Sequence, residues 1–323
     1  MIPELAAAVL RGEERAIARA CRLIDDRGAG VGELIDALQI TSRRARIIGV
    51  TGSPGSGKST LVAALISQYR ALGQRVAVLA VDPSSTFNGG AILGDRVRMQ
   101  KHFEDPGVFI RSLATRGAQG GLSRSVQEHV VVLEAAGFDV VLLETVGVGQ
   151  DELDVSEVAE STIVVAVPGM GDDVQAVKSG VLEIADVFVV NKADRDGADR
   201  AALELEQRLE LGRVVSAREA SAHAWRVPVL KCVALRDAGL PELMQALAEH
   251  RAWLDTPPGA LRRSERARKS AERLVFSLIR EELAGAIEVE LGRAAARVAE
   301  RELTPHAAAA ELVTLLREKL SAS

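Results

Sequence analysis

The stretch GSPGSGKST, residues 52–60, constrains this chain more than any other part of its sequence. It follows the apolar run RIIGVT (46–51) and precedes LVAALISQYRAL (61–72), which has the pattern of a helix. Glycines at this G-x-x-x-x-G-K-S spacing allow a turn between a strand and a helix to surround phosphate groups with backbone N–H groups. The stretch therefore predicts a phosphate-binding loop at the carboxyl end of a strand.

The loop is predicted to hold the phosphates of a nucleoside triphosphate. In this arrangement Lys58 reaches the β and γ phosphates, which makes it a candidate catalytic residue, and Ser59 supplies a hydroxyl to Mg²⁺. The alternative is a glycine-rich turn with a chance lysine, which the strand-to-helix context disfavours. The predicted phosphate-binding residues are Gly52, Ser53, Pro54, Gly55, Ser56, Gly57, Lys58, Ser59 and Thr60.

Seven short runs rich in β-branched residues alternate with longer helical patterns through the centre of the chain. They are RIIGVT (46–51), VAVLAVD (76–82), VFIR (108–111), DVVLLET (139–145), TIVVAVP (162–168), DVFVVN (186–191) and VPVLKCVAL (227–235). Continuous apolar strands separated by helices indicate a mostly parallel sheet covered on both faces. The predicted fold class is α/β, a mostly parallel P-loop NTPase sheet flanked by helices, with helical N-terminal and C-terminal extensions.

Three domains are predicted. Residues 1–44 form a helical N-terminal extension, because apolar residues recur at helical spacing in ERAIARACRLIDD and GELIDAL. Residues 45–256 form the P-loop domain. Residues 257–323 begin within the Pro/Gly break DTPPGA (255–260) and form a helical dimerisation region. Its apolar stripe, which can face the domain or a second copy of the chain, consists of Val275, Ile279, Leu283 and Ile287.

Composition limits the partners and the location. The 323 residues include 40 Lys and Arg against 45 Asp and Glu, a formal net charge of -5, so no global positive field recruits nucleic acid or an anionic membrane. The basic stretch RRSERARKSAER (262–273) is predicted to be a solvated helical face. Cys21 and Cys232 are far apart in apolar surroundings, which predicts reduced core residues. A cytoplasmic protein is expected, since no signal peptide or membrane span is recognised.

The tetrapeptide NKAD (191–194) ends a later predicted strand and indicates which base is bound. The carboxylate of Asp194 can accept two hydrogen bonds, from N1–H and the exocyclic amine of guanine, whereas adenine offers no matching pair of donors. A buried acceptor left unpaired by the wrong base is costly, so the motif favours GTP and GDP. The predicted base-binding residues of this motif are Asn191, Lys192 and Asp194.

Acidic residues near the predicted loop are candidates for a magnesium site. Glu144 ends the strand DVVLLET and would hold Mg²⁺ through water, and it is also a candidate catalytic residue. Asp82 and Asp95 belong to VDPSSTFNGGAILGDRVRM (81–99), which is predicted to order around metal and phosphate. Asp82 alone could instead cap a helix. The predicted metal ligands are Ser59, Asp82, Asp95 and Glu144.

Five segments together carry a family resemblance. GSPGSGKST, VDPSS with GGAILGDRVRM, ETVGVGQDE, PGMGDDVQAVKSGVLEIAD and NKAD, in this order, resemble the methylmalonyl-CoA mutase-associated GTPases of the MeaB/ArgK group. The resemblance implies a homodimeric GTPase that uses Mg²⁺ to hydrolyse GTP to GDP and phosphate. It also implies a chaperone of an adenosylcobalamin-dependent acyl-CoA mutase that gates cofactor loading and protects or reactivates the enzyme. Adenosylcobalamin would belong to that partner mutase.

By position, the resemblance implies two further loops. An additional switch loop would span residues 169–180, with Gln175 and Lys178 as candidate catalytic residues. A base-binding loop would contain Val233, Ala234 and Leu235. Val233 stands where the family usually has a small hydroxyl residue or glycine, so the backbone amides of this loop are expected to contact the guanine O6.

Three other functions are open on the sequence alone. A metal-delivery GTPase of the same broad class usually has histidine-rich or paired-cysteine motifs, whereas here five histidines are scattered and the two cysteines are distant. A P-loop small-molecule kinase would not need NKAD. A nucleotide-dependent scaffold would hydrolyse GTP negligibly, which Lys58, Ser59 and Glu144 disfavour, although no residue is assigned to positioning the attacking water.

Overall fold

The computed structural model describes residues 2–39, 44–82, 99–114, 121–145, 155–169, 183–216 and 224–321. The chain divides between Ala267 and Arg268 into two compact units. One helix contributes residues to both units, because it runs from Pro257 to Ala299. The predicted domain boundaries at residues 44/45 and 256/257 stay predictions.

Seven parallel strands form one sheet in the order β3-β2-β4-β1-β5-β6-β7. The strands are β1 Arg46–Gly52, β2 Val76–Asp82, β3 Val108–Ala114, β4 Val140–Thr145, β5 Ser161–Ala166, β6 Val187–Val190 and β7 Val229–Lys231. Each predicted run overlaps one of them, so the predicted parallel α/β sheet is confirmed; β3 extends three residues beyond its run. The last strand is shorter than its run, because the chain bends into a 3-10 turn at Ala234–Arg236.

Helices precede, separate and follow the strands along the chain. Those with described bounds are α1 Ile2–Leu10, α2 Glu14–Asp25, α3 Val31–Gln39, α4 Lys58–Ala71, α5 Gly121–Ala135, α6 Ala198–Ser216, α7 Leu240–Leu254, α8 Pro257–Ala299 and α9 Pro305–Ser321. The predicted break DTPPGA overlaps the first turn of α8, where proline is tolerated because the first N–H groups have no acceptor within the helix. Within the described ranges, no helix is both long and apolar enough to span a bilayer.

The core has layers on both faces of the sheet. On one face, α1, α2, α3 and α5 pack against strand residues such as Leu79 and Leu143. On the other, α4 and α7 pack against the alternate residues, such as Val78 and Leu142. Cys21 lies in the first layer and Cys232 in the second, both buried and free. Burial raises the pKa of each thiol to about 12, and the prediction that both are core residues is confirmed.

A buried ionic cluster lies at the amino end of β6. Asp186 is fully buried, and its Oδ1 is 2.6 Å from Arg262 Nη2. Its Oδ2 accepts hydrogen bonds from Arg266 Nη2 at 3.2 Å and from the Thr162 backbone N–H at 2.9 Å. Arg266 also donates to the carbonyl oxygens of residues 159 and 160. The predicted solvated face is therefore wrong for Arg262 and Arg266, which lie four residues apart on one side of α8 and meet a buried carboxylate.

His250 of α7 borders this cluster and is fully buried. Its Nδ1 is 2.7 Å from Ser161 Oγ, and its Nε2 is 3.4 Å from Asp186 Oδ1. Burial of the imidazole lowers the pKa of His250 to about 4. The nearby Asp186 carboxylate raises this pKa, but the positive charges of Arg262 and Arg266 lower it further. The imidazole is therefore neutral at physiological pH.

We predict that this histidine makes the folded state sensitive to mild acid. The unfolded chain binds the proton with a pKa of about 6.5, whereas folded His250 binds it only near pH 4, so stability is lost as pH falls through this window. The loss approaches roughly 3 kcal/mol near the folded pKa. Urea unfolding of the native protein should therefore show a steeper loss of stability below about pH 6.5 than His250→Gln. Parallel pH profiles for the two proteins would contradict this role.

Candidate functional site

The predicted motifs meet at the carboxyl edge of the parallel sheet. β1 lies between β4 and β5, with Val50 paired to Glu144 and Gly52 paired to Val165. The segment after β6 begins at Asn191, next to the segment that follows β7. Because parallel strands all end at the same edge, the phosphate loop, the acidic strand end and NKAD become neighbours.

Two glycines allow the phosphate loop to approach its neighbours closely. Gly52 has φ +136°, and a Cβ there would lie 2.2 Å from the carbonyl oxygen of Val165. Gly57 has φ +91°, and a Cβ there would lie 2.4 Å from Asn191 Nδ2. Both the left-handed backbone and the lack of space therefore require glycine at these positions.

The first turn of α4 brings a cation and a hydroxyl into the loop. Lys58 is buried, and its Nζ donates to the carbonyl oxygens of Gly52 at 2.7 Å and Ser53 at 3.1 Å. Ser59 Oγ donates to Glu144 Oε1 at 2.5 Å, and both residues are buried. The helix begins at Lys58, so its first N–H groups and their partial positive charge lie at the loop. The arrangement suits an anion with an associated cation.

A buried amide, Asn191, joins three parts of the site. Its Nδ2 donates to the Ser56 carbonyl at 2.9 Å, and its Oδ1 accepts from the Ala234 N–H at 3.2 Å. The next residue, Lys192, has φ +57° and donates from Nζ to the Gly55 carbonyl at 2.6 Å. NKAD is thus fixed both to the phosphate loop and to the turn after β7.

The turn after β7 holds the predicted base-binding loop. The Val233 N–H donates to the Ala238 carbonyl at 2.9 Å, and the Ala234 N–H is bonded to Asn191, so both amides have acceptors within the protein. Leu235 is 85% exposed beside them. Arg236 directly follows the three predicted base-binding residues but was not itself predicted as a site residue, and its Nη2 lies 3.7 Å from Asp194 Oδ2.

Comparison with known proteins gives the family. A family profile described as "Methylmalonyl Co-A mutase-associated GTPase MeaB" matches residues 17–290. The chain belongs to this family.

Two relatives and one solved structure show how far the similarity extends. A putative GTPase of Pyrococcus abyssi is 42% identical over 96% of this chain and 95% of its own length. GTPase ArgK of Escherichia coli is 37% identical over 76% of this chain and 74% of its own length. The crystal structure of an LAO/AO transport system kinase superposes with a TM-score of 0.72 at 25% identity, covering 98% of this chain and 97% of that one. Similarity to the P. abyssi protein and to the solved structure therefore extends over nearly the whole chain, beyond the residues 17–290 matched by the family profile.

The remaining predicted site residues of this MeaB-family chain are placed only in part. Asp82 ends β2 opposite Ala114, but its side chain lies outside the described structure. Asp95, Gln175 and Lys178 also lie outside the described residues. Among residues that the structure does describe, no three His, Cys, Asp or Glu side chains are grouped so that they could hold a metal ion. In the phosphate loop, Pro54 is exposed and Thr60 is half-buried.

We predict that Gly52→Ala destabilises the protein more than Gly55→Ala. Both residues have positive φ, 136° and 75°, so both variants are strained, but only the Cβ at Gly52 meets backbone, whereas nothing lies within 4 Å of a Cβ at Gly55. The steric overlap of the added Cβ with Val165 should lower the free energy of unfolding of Gly52→Ala by about 1–3 kcal/mol more than that of Gly55→Ala. Urea unfolding of the two variants measures it, and equal losses of stability would contradict the close packing of Gly52 against β5.

Proposed function

We propose that the protein binds GTP and hydrolyses it to GDP and phosphate, and that it acts as a chaperone of an adenosylcobalamin-dependent acyl-CoA mutase. The observation that carries the nucleotide part is the double hydrogen bond of Asn191, which ties the phosphate loop to the turn beside Asp194. The phosphate loop and the Asp194 carboxylate would then contact the two ends of the same bound nucleotide. The family description supports a mutase as the client.

The phosphate loop suits a triphosphate with Mg²⁺. Magnesium prefers oxygen ligands, and the buried Ser59 hydroxyl and Glu144 carboxylate are already adjacent at 2.5 Å. Ser56 Oγ is buried and has no hydrogen-bond partner in the described part of the chain, which fits a polar ligand in the loop. When bound, the metal would supply positive charge to the phosphate oxygens. We propose that Ser59 and Glu144, with Asp82 and Asp95, hold it.

Lys58 would supply the fixed charge of the protein itself. Its ammonium is buried at the loop and bonded to loop carbonyls, so it is oriented before any ligand arrives. We propose that it stabilises the charge on the β and γ phosphates, in addition to the backbone N–H groups of the phosphate loop, which all its residues except Pro54 can supply. Its role is catalytic because this charge increases on the leaving group during hydrolysis.

The base is proposed to lie between NKAD and the turn after β7. The side chain of Asp194 is 39% exposed, so its carboxylate remains accessible to the two guanine donors. Because Val233 and Ala234 use their N–H groups within the protein, we propose that the amide of Leu235 contacts the guanine O6. The exposed Leu235 side chain would then cover part of the base.

The assembly is proposed to be a homodimer formed through the C-terminal helices. Val275, Phe276 and Ile279 of α8 are exposed, and such neighbouring apolar side chains favour burial against another surface. Leu283 and Ile287 of the predicted stripe have side chains outside the described structure. A monomeric mass in light scattering would contradict this assembly. We also propose a cytoplasmic location, consistent with two free cysteines.

We predict that the protein binds GDP and GTP far more tightly than ADP and ATP in the presence of Mg²⁺. The Asp194 carboxylate is the physical reason, and its replacement in Asp194→Asn should shift preference toward xanthine nucleotides, whose 2-oxo group needs a donor. Calorimetry with GDP, XDP and ADP measures this. Equal affinity of the native protein for GDP and ADP would rule out the guanine assignment.

We predict slow hydrolysis by the isolated protein and acceleration by the client mutase through residues 169–180. A partner that contacts this loop would allow Lys178 or Gln175 to stabilise the transferring phosphate, and a positioned cation in this role gains on the order of 10³ in rate. GTP turnover should be measured with and without an adenosylcobalamin-dependent acyl-CoA mutase, for the native protein, Gln175→Ala and Lys178→Ala. Lys58→Ala is the inactive control.

Equal acceleration of the native protein and both loop variants would show that the loop does not transmit the effect of the mutase. No acceleration of any of them would remove the mutase as a partner in hydrolysis. Turnover by Lys58→Ala at the native rate would show that the phosphate loop is not the active site.

A further inference from the structure

An arginine directly after the predicted base-binding residues lies beside the proposed guanine-binding carboxylate. Arg236 ends the 3-10 turn after β7, and its side chain is 73% exposed. Its Nη2 is 3.7 Å from Asp194 Oδ2, which is close enough for a direct charge interaction and too long for a hydrogen bond. The two residues are 42 positions apart in the sequence, so only the fold brings them together.

The backbone of this turn is tightly constrained, which fixes where the Arg236 side chain begins. Asp237 has φ +56°, and a Cβ at Gly239 would lie 2.2 Å from the Lys231 carbonyl. The ends of the turn are closed by the Val233 N–H bond to the Ala238 carbonyl. The start of NKAD is joined to the same turn through Asn191. The two charged side chains therefore project from backbone segments that are held together.

We propose that Arg236 is a positioning residue for guanine recognition, which rests on the proposed function. A carboxylate has about four lone-pair sites, and guanine engages two of them through N1–H and the 2-amino group. The Arg236 guanidinium attracts the Asp194 carboxylate from the side of the turn. This attraction restricts the rotation of the carboxylate and favours an orientation in which both oxygens meet the base. Arg236 thus contributes to discrimination between purines with and without a 2-amino group.

Inosine diphosphate separates this role from a general structural one. It keeps the N1–H of guanine and lacks the 2-amino group, so it forms one of the two hydrogen bonds to Asp194. Arg236→Ala should weaken GDP binding about two- to five-fold, the range for an exposed ion pair, and weaken IDP binding less. We use the GDP/IDP ratio for the association constant of GDP divided by that of IDP. Arg236→Lys keeps the positive charge and should recover part of this ratio. Salt should reduce the effect, because the pair is exposed.

The control variant is Arg200→Ala. Arg200 is an exposed arginine of α6 paired with Glu204, outside the turn and NKAD, and its removal should leave the GDP/IDP ratio unchanged. The double variant Asp194→Asn/Arg236→Ala should bind XDP as tightly as Asp194→Asn alone, because the attraction to a carboxylate has already been removed.

Calorimetric titration of GDP and IDP into each full-length variant with Mg²⁺ tests whether Arg236 contributes to recognition of the 2-amino group. A lower GDP/IDP ratio in Arg236→Ala, with partial recovery in Arg236→Lys, supports the inference. An unchanged ratio, or an equal loss for GDP and IDP, overturns it. Tighter GDP binding by Arg236→Ala also overturns it, since Arg236 would then compete with the base for Asp194. Equal binding of GDP and ADP by the native protein would instead defeat the proposed function.

Discussion

The candidate site depends on one buried amide. Asn191 donates to the phosphate loop and accepts from the turn after β7, so two loops that are far apart in the sequence share one rigid contact. Gly57 is required beside it, because a Cβ there would collide with the Asn191 amide. A buried amide that lost either partner would have unpaired polar groups, which is costly away from water. The distance between the phosphate loop and the turn after β7 is therefore set by the protein itself.

The two ends of β6 show how polar groups define the limits of a short apolar strand. β6 has four buried residues, and it lies between Asp186 at its amino end and Asn191 at its carboxyl end. At the amino end, two arginines of α8 compensate a fully buried carboxylate, an arrangement in which removal of one partner would leave an uncompensated charge. The start of α8 is thereby fixed to the sheet. The same strand thus links the start of α8 to the segment proposed to recognise guanine.

Much of the fold follows from local sequence patterns, because parallel buried strands are continuous apolar runs and the phosphate loop has fixed residue types. All seven strands fall in this class. Ser59 and Glu144 were each predicted as magnesium ligands, but their direct hydrogen bond of 2.5 Å is a tertiary contact that no local pattern indicates. The end of β7 was not predictable, because Val233 and Ala234 are as apolar as the strand before them, and the turn is set by contacts of Gly239.

Contacts between distant charges were also missed. Arg262 and Arg266 belong to a stretch with acidic residues at helical spacing, which favours a solvated face, while their actual partner, Asp186, lies about 80 residues earlier. Arg236 near Asp194 is a similar case. Residue type and spacing indicate which groups are present, but only the tertiary fold decides which of two available carboxylates an arginine meets.

The burial of both cysteines has a practical consequence for chemical labelling. With a pKa of about 12, each thiol is ionised to only about one part in ten thousand at pH 8, and the thiolate is the species that reacts with maleimides and oxidants. Cys21 and Cys232 account for all the cysteines of the chain. A single cysteine introduced at the exposed Leu235 would therefore react selectively in the folded protein, and a fluorophore there would report nucleotide binding at the proposed base site without removal of the native thiols.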